Sequence, residues 1–320
     1  MKVVVTGGAG FLGQRLIREI LQRGELTDAR GERHRVDEVV AVDQVAAPAE
    51  DRVQAMVGDV GDAAVLRQAI DGADSVFHLA AVVSGAAEAD FDLGMRVNLD
   101  GTRALLEALR AEGRHPKVVF SSSVAVFGGA LPAVVDDSTA PMPQSSYGVQ
   151  KLIGELLVGD YSRKGYVDGR AVRLPTIVVR PGKPNAAASS FASGIIREPL
   201  AGAEALCPVD PDTSMWVLSP GAAITNLLHA HELSAERWLG PRSLSLPGIT
   251  VSVRAMLDAL TVVGGPAARA RVRLQPDPRI EAIVRTWPAR FHTARADAMG
   301  FVRDGDFESV VRAYAKEYVR

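Results

Sequence analysis

Residues 2–13 read KVVVTGGAGFLG, and this stretch decides the fold of the chain. A valine-rich run typical of a buried strand leads directly into glycines spaced as GxGxxG and GxxGxxG, and a helical pattern follows. Such a turn suits a diphosphate, because glycine permits positive φ and a close backbone approach, while the helix N-terminus supplies N–H donors. The stretch therefore predicts a dinucleotide-binding strand, turn and helix, with a plain glycine-rich turn as the alternative.

Strand-like and helix-like segments alternate along the first half of the chain. The apolar runs that predict strands are 2–6, 38–42, 53–57, 75–79, 117–121 and 170–179. The amphipathic stretches that predict helices are 10–23, 63–70, 91–112 and 146–164. This alternation predicts an α/β fold, a Rossmann-type doubly wound parallel sheet covered by helices on both faces. The polar segment 24–37 lacks an apolar period and is expected to be a helix end and an exposed loop.

The regular alternation fades after about residue 180. We therefore expect a dinucleotide-binding Rossmann domain over 1–180 and a smaller, mainly substrate-binding C-terminal lobe over 181–320. The boundary is approximate, because chains of this design often return strands from the second lobe to the first. Helical patterns in the second lobe cover 188–197, 220–231, 253–262 and 307–318.

Charge and cysteine content narrow the class of protein. Lys and Arg total 36 against 38 Asp and Glu, so the net charge of −2 offers no basic surface for nucleic acid or anionic membranes. The single cysteine, Cys207, excludes an internal disulfide and a cysteine-based metal site, and no metal is expected. No secretion signal or membrane span is visible. The expected location is the cytoplasm.

Two aspartates follow predicted strands where a cofactor would lie. Asp43 ends the second strand, where a carboxylate accepts hydrogen bonds from the adenosine ribose hydroxyls and repels a 2′-phosphate. This favours NAD over NADP, although Arg52 lies near in sequence, and a solvated strand-end residue is the alternative. Asp59, in the sequence Gly-Asp-Val, is placed to accept from the adenine amino group, although alone it reads as a turn residue.

Tyr147 and Lys151 form a YxxxK pair on a predicted helix, where i, i+4 spacing puts both side chains on one face. A phenol has a pKa near 10, so a neighbouring ammonium is needed if tyrosine is to remove a proton at neutral pH. Ser123, at the end of a buried strand, supplies a hydroxyl that holds a substrate oxygen. A lone exposed Tyr/Lys pair would be unremarkable without the other signals.

Together these motifs resemble the extended short-chain dehydrogenase/reductase family, which includes NAD-dependent epimerases and dehydratases. The likeness rests on TGGAGFLG from Thr6, HLAA from His78, Asn98 in VNLDGT, SSSVAVFG from Ser121 and YGVQK from Tyr147. It implies that Tyr147 is the acid/base, that Lys151 binds the nicotinamide ribose and lowers the tyrosine pKa, and that Ser123 orients the reacting oxygen. The implied cofactor contacts are Gly7, Gly10, Phe11, Leu12, Gly13, Asp43, Asp59, Val60, Leu79, Ala80, Ala81, Asn98, Tyr147 and Lys151.

The chain departs from sugar-nucleotide enzymes of this family after Lys151. Those enzymes continue into RxxNxYGP, whereas Thr176 stands here in place of the Asn, and Phe127 stands where they usually have Tyr. Residues 180–202 instead are similar to a group that oxidises D-erythronate at C2 to 2-oxo-D-erythronate with NAD⁺. The expected substrate is therefore a small acid sugar.

Cationic and amide side chains near the lobe boundary are expected to bind that substrate. With Ser123 and Tyr147, the predicted substrate contacts are Arg180, Lys183, Asn185 and Arg197. Ordinary surface charges are the alternative for each basic residue. Two other functions stay open: a sugar-nucleotide epimerase or dehydratase that retains NAD, and a non-catalytic NAD(P)-binding sensor. A homodimer is expected, because related enzymes often pair through helices beside YxxxK.

Overall fold

A computed structural model describes residues 1–182, 187–238 and 240–319. Its strands in chain order are β1 Lys2–Thr6, β2 Glu25–Thr27, β3 Arg33–Arg35, β4 Glu38–Asp43, β5 Val53–Val57, β6 Ser75–His78, β7 Lys117–Ser123, β8 Asp168–Leu174, β9 Thr176–Ile177, β10 Ala205–Cys207, β11 Ser214–Leu218, β12 Ser243–Ser245, β13 Ile249–Ser252 and β14 Val272–Leu274. Its helices are α1 Phe11–Arg23, α2 Ala63–Ile70, α3 Ser84–Ala89, α4 Phe91–Gly94, α5 Gly101–Glu112, α6 Ser146–Arg163, α7 Ser190–Leu200, α8 Pro220–Glu232, α9 Val253–Arg269, α10 Pro278–Val284, α11 Ala294–Ala298 and α12 Phe307–Tyr318.

The chain divides into two compact units. The first comprises Met1–Val126, Ser145–Arg173 and Ile224–Leu244, and the second comprises the segments that begin at Phe127, Leu174 and Ser245. The expected boundary at residue 180 therefore lies within the second unit, and a later segment returns to the first. Among the described residues, no helix combines the length and apolarity that a membrane crossing requires.

A seven-stranded sheet, ordered β12-β8-β7-β6-β1-β4-β5, forms the framework of the first unit. The pairs of β1 with β4 and β6, of β4 with β5, and of β6 with β7 are parallel. Val4 pairs with Val40 and Val76, and Val76 with Val118, so one layer of buried valines crosses four strands. Burying each such side chain contributes about 1.5–3 kcal/mol. The doubly wound parallel sheet predicted from the sequence is confirmed.

Two local predictions are wrong. The segment 24–37 is not an open loop, because β2 and β3 form an antiparallel hairpin there with Leu26 fully buried. The predicted strand 170–179 is divided by Pro175, which has no N–H to donate to a ladder. Its first part, β8, lies in the seven-stranded sheet, whereas β9 pairs with β11.

The second unit is built on a three-stranded sheet, β13-β11-β9, and a parallel pair, β10-β14. Helices α7, α9 and α12 supply much of its buried core, including Ile195, Leu257, Leu260 and Val311. Phe127, the residue that departs from the sugar-nucleotide pattern, is 1% exposed and packs edge-on against Phe291, with ring centroids 5.7 Å apart. Phe127 is therefore a buried residue of the second unit.

Candidate active site

The glycine turn after β1 is held close to two neighbouring strands. The N–H of Gly7 donates to Val42 O at 2.8 Å, at the end of β4. Gly7 has φ +73°, and a Cβ there would lie 2.9 Å from Ala80 N, beyond the end of β6. Only glycine combines this backbone conformation with so close an approach. The turn that the sequence predicted is present, and a side chain at Gly7 would displace the Ala80 segment.

Helix α1 begins directly against this turn. A Cβ on Gly13 would lie 2.1 Å from Gly7 O, so glycine is needed for the helix to start here. The first intrahelical hydrogen bond runs from Gln14 N–H to Gly10 O at 2.9 Å. The N–H groups of Phe11 and Leu12 precede it, at the positive end of the helix dipole. This arrangement fits the diphosphate of a dinucleotide.

A cavity of about 330 Å³ lies beside the turn, at the carboxyl edge of the sheet. Its lining residues are Gly7, Gly10, Asp43, Gln44, Gly58, Asp59, Val60, Leu79, Ala80, Ala81, Val82 and Val97. Eight residues predicted to contact the cofactor are in this set. Parallel α/β sheets bind ligands at this edge. Phe11, Leu12, Gly13 and Asn98 are not among its lining residues.

Asp43 is oriented by the backbone around it. Its Oδ2 accepts from Ala9 N–H at 3.0 Å, and its Oδ1 accepts from Gln44 N–H at 2.7 Å. The carboxylate thus joins the end of β4 to the glycine turn while it lines the cavity. Asp59 is held in a similar way, because its Oδ1 accepts from Gly61 N–H at 2.8 Å. The donor set and the glycine cradle therefore fit NAD, as the sequence predicted.

A buried histidine supports the cavity wall from behind. The hydroxyl of Thr102 donates to Asn98 O at 2.7 Å, so its oxygen accepts from His78 Nε2 at 3.0 Å. His78 Nδ1 then accepts from Thr6 Oγ1 at 2.6 Å, and Thr6 Oγ1 accepts from Ala80 N–H at 3.3 Å. Burial, with a smaller effect of the Lys151 charge, lowers the pKa of His78 to about 3. A neutral imidazole therefore orients the backbone at Ala80.

The side-chain amide of Asn98 forms hydrogen bonds within the protein, mainly to the backbone of Val82. It lies in a π-helical turn, Met95–Asp100, between α4 and α5. Its Oδ1 accepts from Val82 N–H at 2.7 Å, and its Nδ2 donates to Val82 O at 3.0 Å and to Gln150 Oε1 at 2.7 Å. The amide therefore fixes the segment that lines the cavity. Its predicted position beside the nicotinamide stays a prediction.

Helix α6 carries the YxxxK pair beside the end of β7. Ser145 Oγ accepts from Gly148 N–H at 3.2 Å and caps the helix, which places Tyr147 in its first turn. Lys151 is 2% exposed, and its Nζ donates to Ser121 O at 2.8 Å and lies 5.7 Å from the centre of the Tyr147 ring. Ser123 is the last residue of β7, and its Oγ accepts from Ala125 N–H at 3.1 Å.

The electrostatics of Lys151 result mainly from burial. Burial lowers the pKa of its ammonium to about 7, and the Glu155 carboxylate opposes that shift. The nitrogen lies 4.8 Å from the centre of the Phe120 ring, whose π-face favours a cation. Burial therefore makes the ammonium of Lys151 more acidic than that of an exposed lysine.

The predicted substrate residues of the second unit are only partly described. Lys183 and Asn185 lie outside the described residues. The N–H of Arg180 donates to Ser193 Oγ at 3.0 Å. Arg197 is 7% exposed, donates to Arg180 O at 2.8 Å and pairs with Glu198 at 2.6 Å. Arg197 therefore braces the Arg180 backbone, and substrate binding by these residues stays a prediction.

Sequence reasoning missed Glu155, which forms a buried ion pair with Arg173 one turn after Lys151. The signal was present, because Tyr147, Lys151 and Glu155 recur every four residues and therefore share one face of α6. His78 was recognised only as part of the HLAA motif, without a role.

Comparison with known proteins places this site in a family. A model of the NAD dependent epimerase/dehydratase family matches residues 3–233. The chain is 57% identical to D-erythronate dehydrogenase of Cupriavidus necator, over 99% of this chain and 98% of that protein. It is 44% identical to D-erythronate dehydrogenase of Haemophilus influenzae, over 98% of each.

A solved structure resembles the whole chain as well. The nucleoside-diphosphate-sugar epimerase from Agrobacterium tumefaciens matches with a TM-score of 0.92 at 39% identity, over 99% of this chain and 94% of that one. The family match covers most of the chain, includes the glycine turn and the YxxxK helix, and agrees with the predicted cofactor. The resemblance read from the motifs is confirmed, and the chain belongs to the NAD dependent epimerase/dehydratase family.

Proposed function

We propose that the protein is an NAD-dependent dehydrogenase that oxidises D-erythronate at C2 to 2-oxo-D-erythronate. The observation that carries this proposal is the 57% identity, over nearly the full length, to the D-erythronate dehydrogenase of Cupriavidus necator. The relative from Haemophilus influenzae bears the same name. The cavity at the carboxyl edge of the sheet supports the cofactor, because its residues suit a diphosphate and a ribose.

In the proposed reaction, side chains of the protein bind the substrate and transfer its proton. When bound, NAD⁺ supplies the hydride acceptor for C2. Ser123 holds the C2 hydroxyl, and Tyr147 removes its proton as the phenolate. Lys151 stabilises that phenolate and donates to the nicotinamide ribose. Arg180 and Lys183 are the predicted ligands of the substrate carboxylate, with Arg197 holding the Arg180 backbone and Asn185 predicted at the substrate hydroxyls.

A sugar-nucleotide epimerase is the second candidate, favoured by the structure from Agrobacterium tumefaciens. That likeness is at 39% identity, below the identity to either D-erythronate dehydrogenase. Thr176 and Phe127 also depart from the residues that sugar-nucleotide enzymes use. An epimerase regenerates its cofactor at each turnover and retains it, whereas a dehydrogenase must release NADH.

The test follows NADH absorbance with D-erythronate, the threonates, and other aldonic and uronic acids, each with NAD⁺ and with NADP⁺. We expect turnover of D-erythronate with NAD⁺ and little with NADP⁺, because Asp43 repels a 2′-phosphate. Turnover of no acid sugar, together with NAD retained through dialysis and conversion of a nucleotide sugar, would overturn the proposal.

The proposal also includes a cytoplasmic homodimer. A single cysteine, buried at Cys207, suits a reducing compartment. On α6, Leu156 is 66% exposed and Val149 is 41% exposed, so this helix presents apolar surface that a second copy would cover.

A further inference from the structure

Glu155 is a buried carboxylate on the helix that carries Tyr147 and Lys151. It is 3% exposed, although glutamate is seldom buried without partners. Its Oε1 accepts from Ser122 Oγ at 2.5 Å and from Arg173 Nε at 2.9 Å, while its Oε2 accepts from Arg173 Nη2 at 2.7 Å. The carboxylate is thus bound by two different elements, β7 through Ser122 and β8 through Arg173.

The position of Ser122 makes this contact relevant to the YxxxK pair. Ser121, immediately before it, accepts the hydrogen bond from Lys151 Nζ at 2.8 Å. Ser123, immediately after it, is the hydroxyl expected at the substrate. Helix α6 is therefore hydrogen-bonded to two consecutive residues at the end of β7. Lys151 donates to the Ser121 carbonyl, and Glu155 accepts from the Ser122 hydroxyl. Loss of the second contact would free the strand end that sets the spacing of Ser123, Tyr147 and Lys151.

The charge of Glu155 also acts on Lys151. Both side chains are almost fully buried and lie one helical turn apart, and burial strengthens the interaction between charges at this spacing. Burial lowers the pKa of Lys151, and Glu155 opposes that shift. The other described groups beside Lys151 are the Tyr147 and Phe120 rings, the Ser121 carbonyl, and His78 on β6, whose imidazole is neutral. Glu155 is therefore a buried carboxylate that favours the ammonium.

We propose that Glu155, oriented by Arg173, is a positioning residue of this active site that holds the end of β7 against α6 and places a negative charge one helical turn from the Lys151 ammonium. The inference rests on the proposed function, because it assumes that Lys151 serves a bound nicotinamide cofactor. A purely structural ion pair would stabilise the fold and would leave the proton affinity of Lys151 unchanged.

Glu155→Gln tests the charge while it keeps the shape of the side chain. Asp160→Asn is the matched control, because Asp160 lies on the same helix, is exposed and pairs with Arg163. NAD⁺ affinity is measured by calorimetry at pH 6 and pH 8.5, beside the pH dependence of kcat/KM with D-erythronate. For Glu155→Gln, we expect the alkaline limb of the kcat/KM profile to lie about one pH unit lower than in the wild type. NAD⁺ affinity should be about tenfold lower at pH 8.5 and less changed at pH 6.

Two further variants separate the roles. Ser122→Ala keeps the ion pair and removes one anchor, so kcat should fall with the alkaline limb in place. If Glu155→Gln does not fold, Glu155→Gln/Arg173→Gln leaves no unpaired buried charge, and the same downward displacement of the limb is expected. A wild-type pH dependence of NAD⁺ affinity in whichever variant folds would overturn the proposal. The calorimetry needs no carbohydrate, so it tests Glu155 even if another acid sugar is the substrate.

Discussion

At the scale of single residues, the chemistry of the site depends on which side chains lie beside Tyr147 and Lys151. The pairing of Tyr147 with Lys151 follows from four-residue spacing on a helix, and the sequence therefore predicted it. Glu155 has the same spacing, but its role depends on Ser122 and Arg173, which lie 33 and 18 residues away along the chain. Such distant contacts arise only when β7, β8 and α6 have packed together.

Tyr147→Phe should remove proton transfer and leave the cofactor cavity unchanged. We expect kcat for D-erythronate to fall by about 10²–10⁴-fold, the usual range for general acid–base catalysis, with a much smaller change in NAD⁺ affinity. The matched control is Tyr161→Phe on the same helix, whose hydroxyl donates to Glu107 rather than to the site. Steady-state kinetics and calorimetry check both variants, and an active Tyr147→Phe enzyme would contradict the proposed mechanism.

At the scale of elements, the local sequence predicted the long periodic helices and strands. It did not predict the elements whose structure depends on contacts between distant parts of the chain. Helix α1, strand β1 and helix α12 follow directly from their apolar periods. The hairpin of β2 and β3 has three-residue strands, too short for alternation to be read, and depends on the burial of Leu26. The π-helical turn at Met95–Asp100 likewise places Asn98 against Val82, a contact that helical periodicity does not reveal.

Gly13→Ala should disrupt the junction of the glycine turn with α1. The added methyl group would lie 2.1 Å from Gly7 O, so the helix start must move away from the turn. We expect NAD⁺ affinity to fall by at least about tenfold, since the N–H donors of the helix shift from the diphosphate. Gly159→Ala is the control, because Gly159 lies within α6 and a Cβ there would contact no neighbouring residue. Calorimetric titration of both variants with NAD⁺ distinguishes the junction from a general effect of alanine.

At the scale of the whole molecule, the return of residues 224–244 to the first unit was expected only in general terms. Buried polar contacts hold this segment: Lys117 Nζ donates to His231 O at 2.8 Å, and Ser75 Oγ bonds His231 Nε2 at 2.7 Å. His231 also stacks on Phe77, with ring centroids 5.1 Å apart. These partners are more than 100 residues apart in sequence, and no local pattern pairs them.

The buried histidine behind the cavity makes global stability depend on pH. His78 has an ordinary pKa of 6.5 when unfolded and about 3 when folded, because burial opposes its charge. Between these values the unfolded chain binds a proton that the folded chain does not, so stability falls as pH falls from 6.5 towards 3. Glu232 acts in the same direction, since its pKa is lowered from 4.5 to about 2 in the folded protein. Its contribution to the free energy of unfolding is lost as the pH falls from 4.5 to about 2.

His78→Asn should therefore flatten the pH dependence of stability. In urea unfolding, we expect the free energy of the wild type to decline below pH 5.5 more steeply than that of the variant, by about 1.4 kcal/mol per pH unit for the one proton removed. The variant should also be less stable at pH 7, because the hydrogen bonds to Thr6 and Thr102 are lost. His115→Asn is the control: His115 is exposed and has φ +54°, a conformation that asparagine accepts. Equal slopes for His78→Asn and the wild type would mean that folding does not lower the pKa of His78.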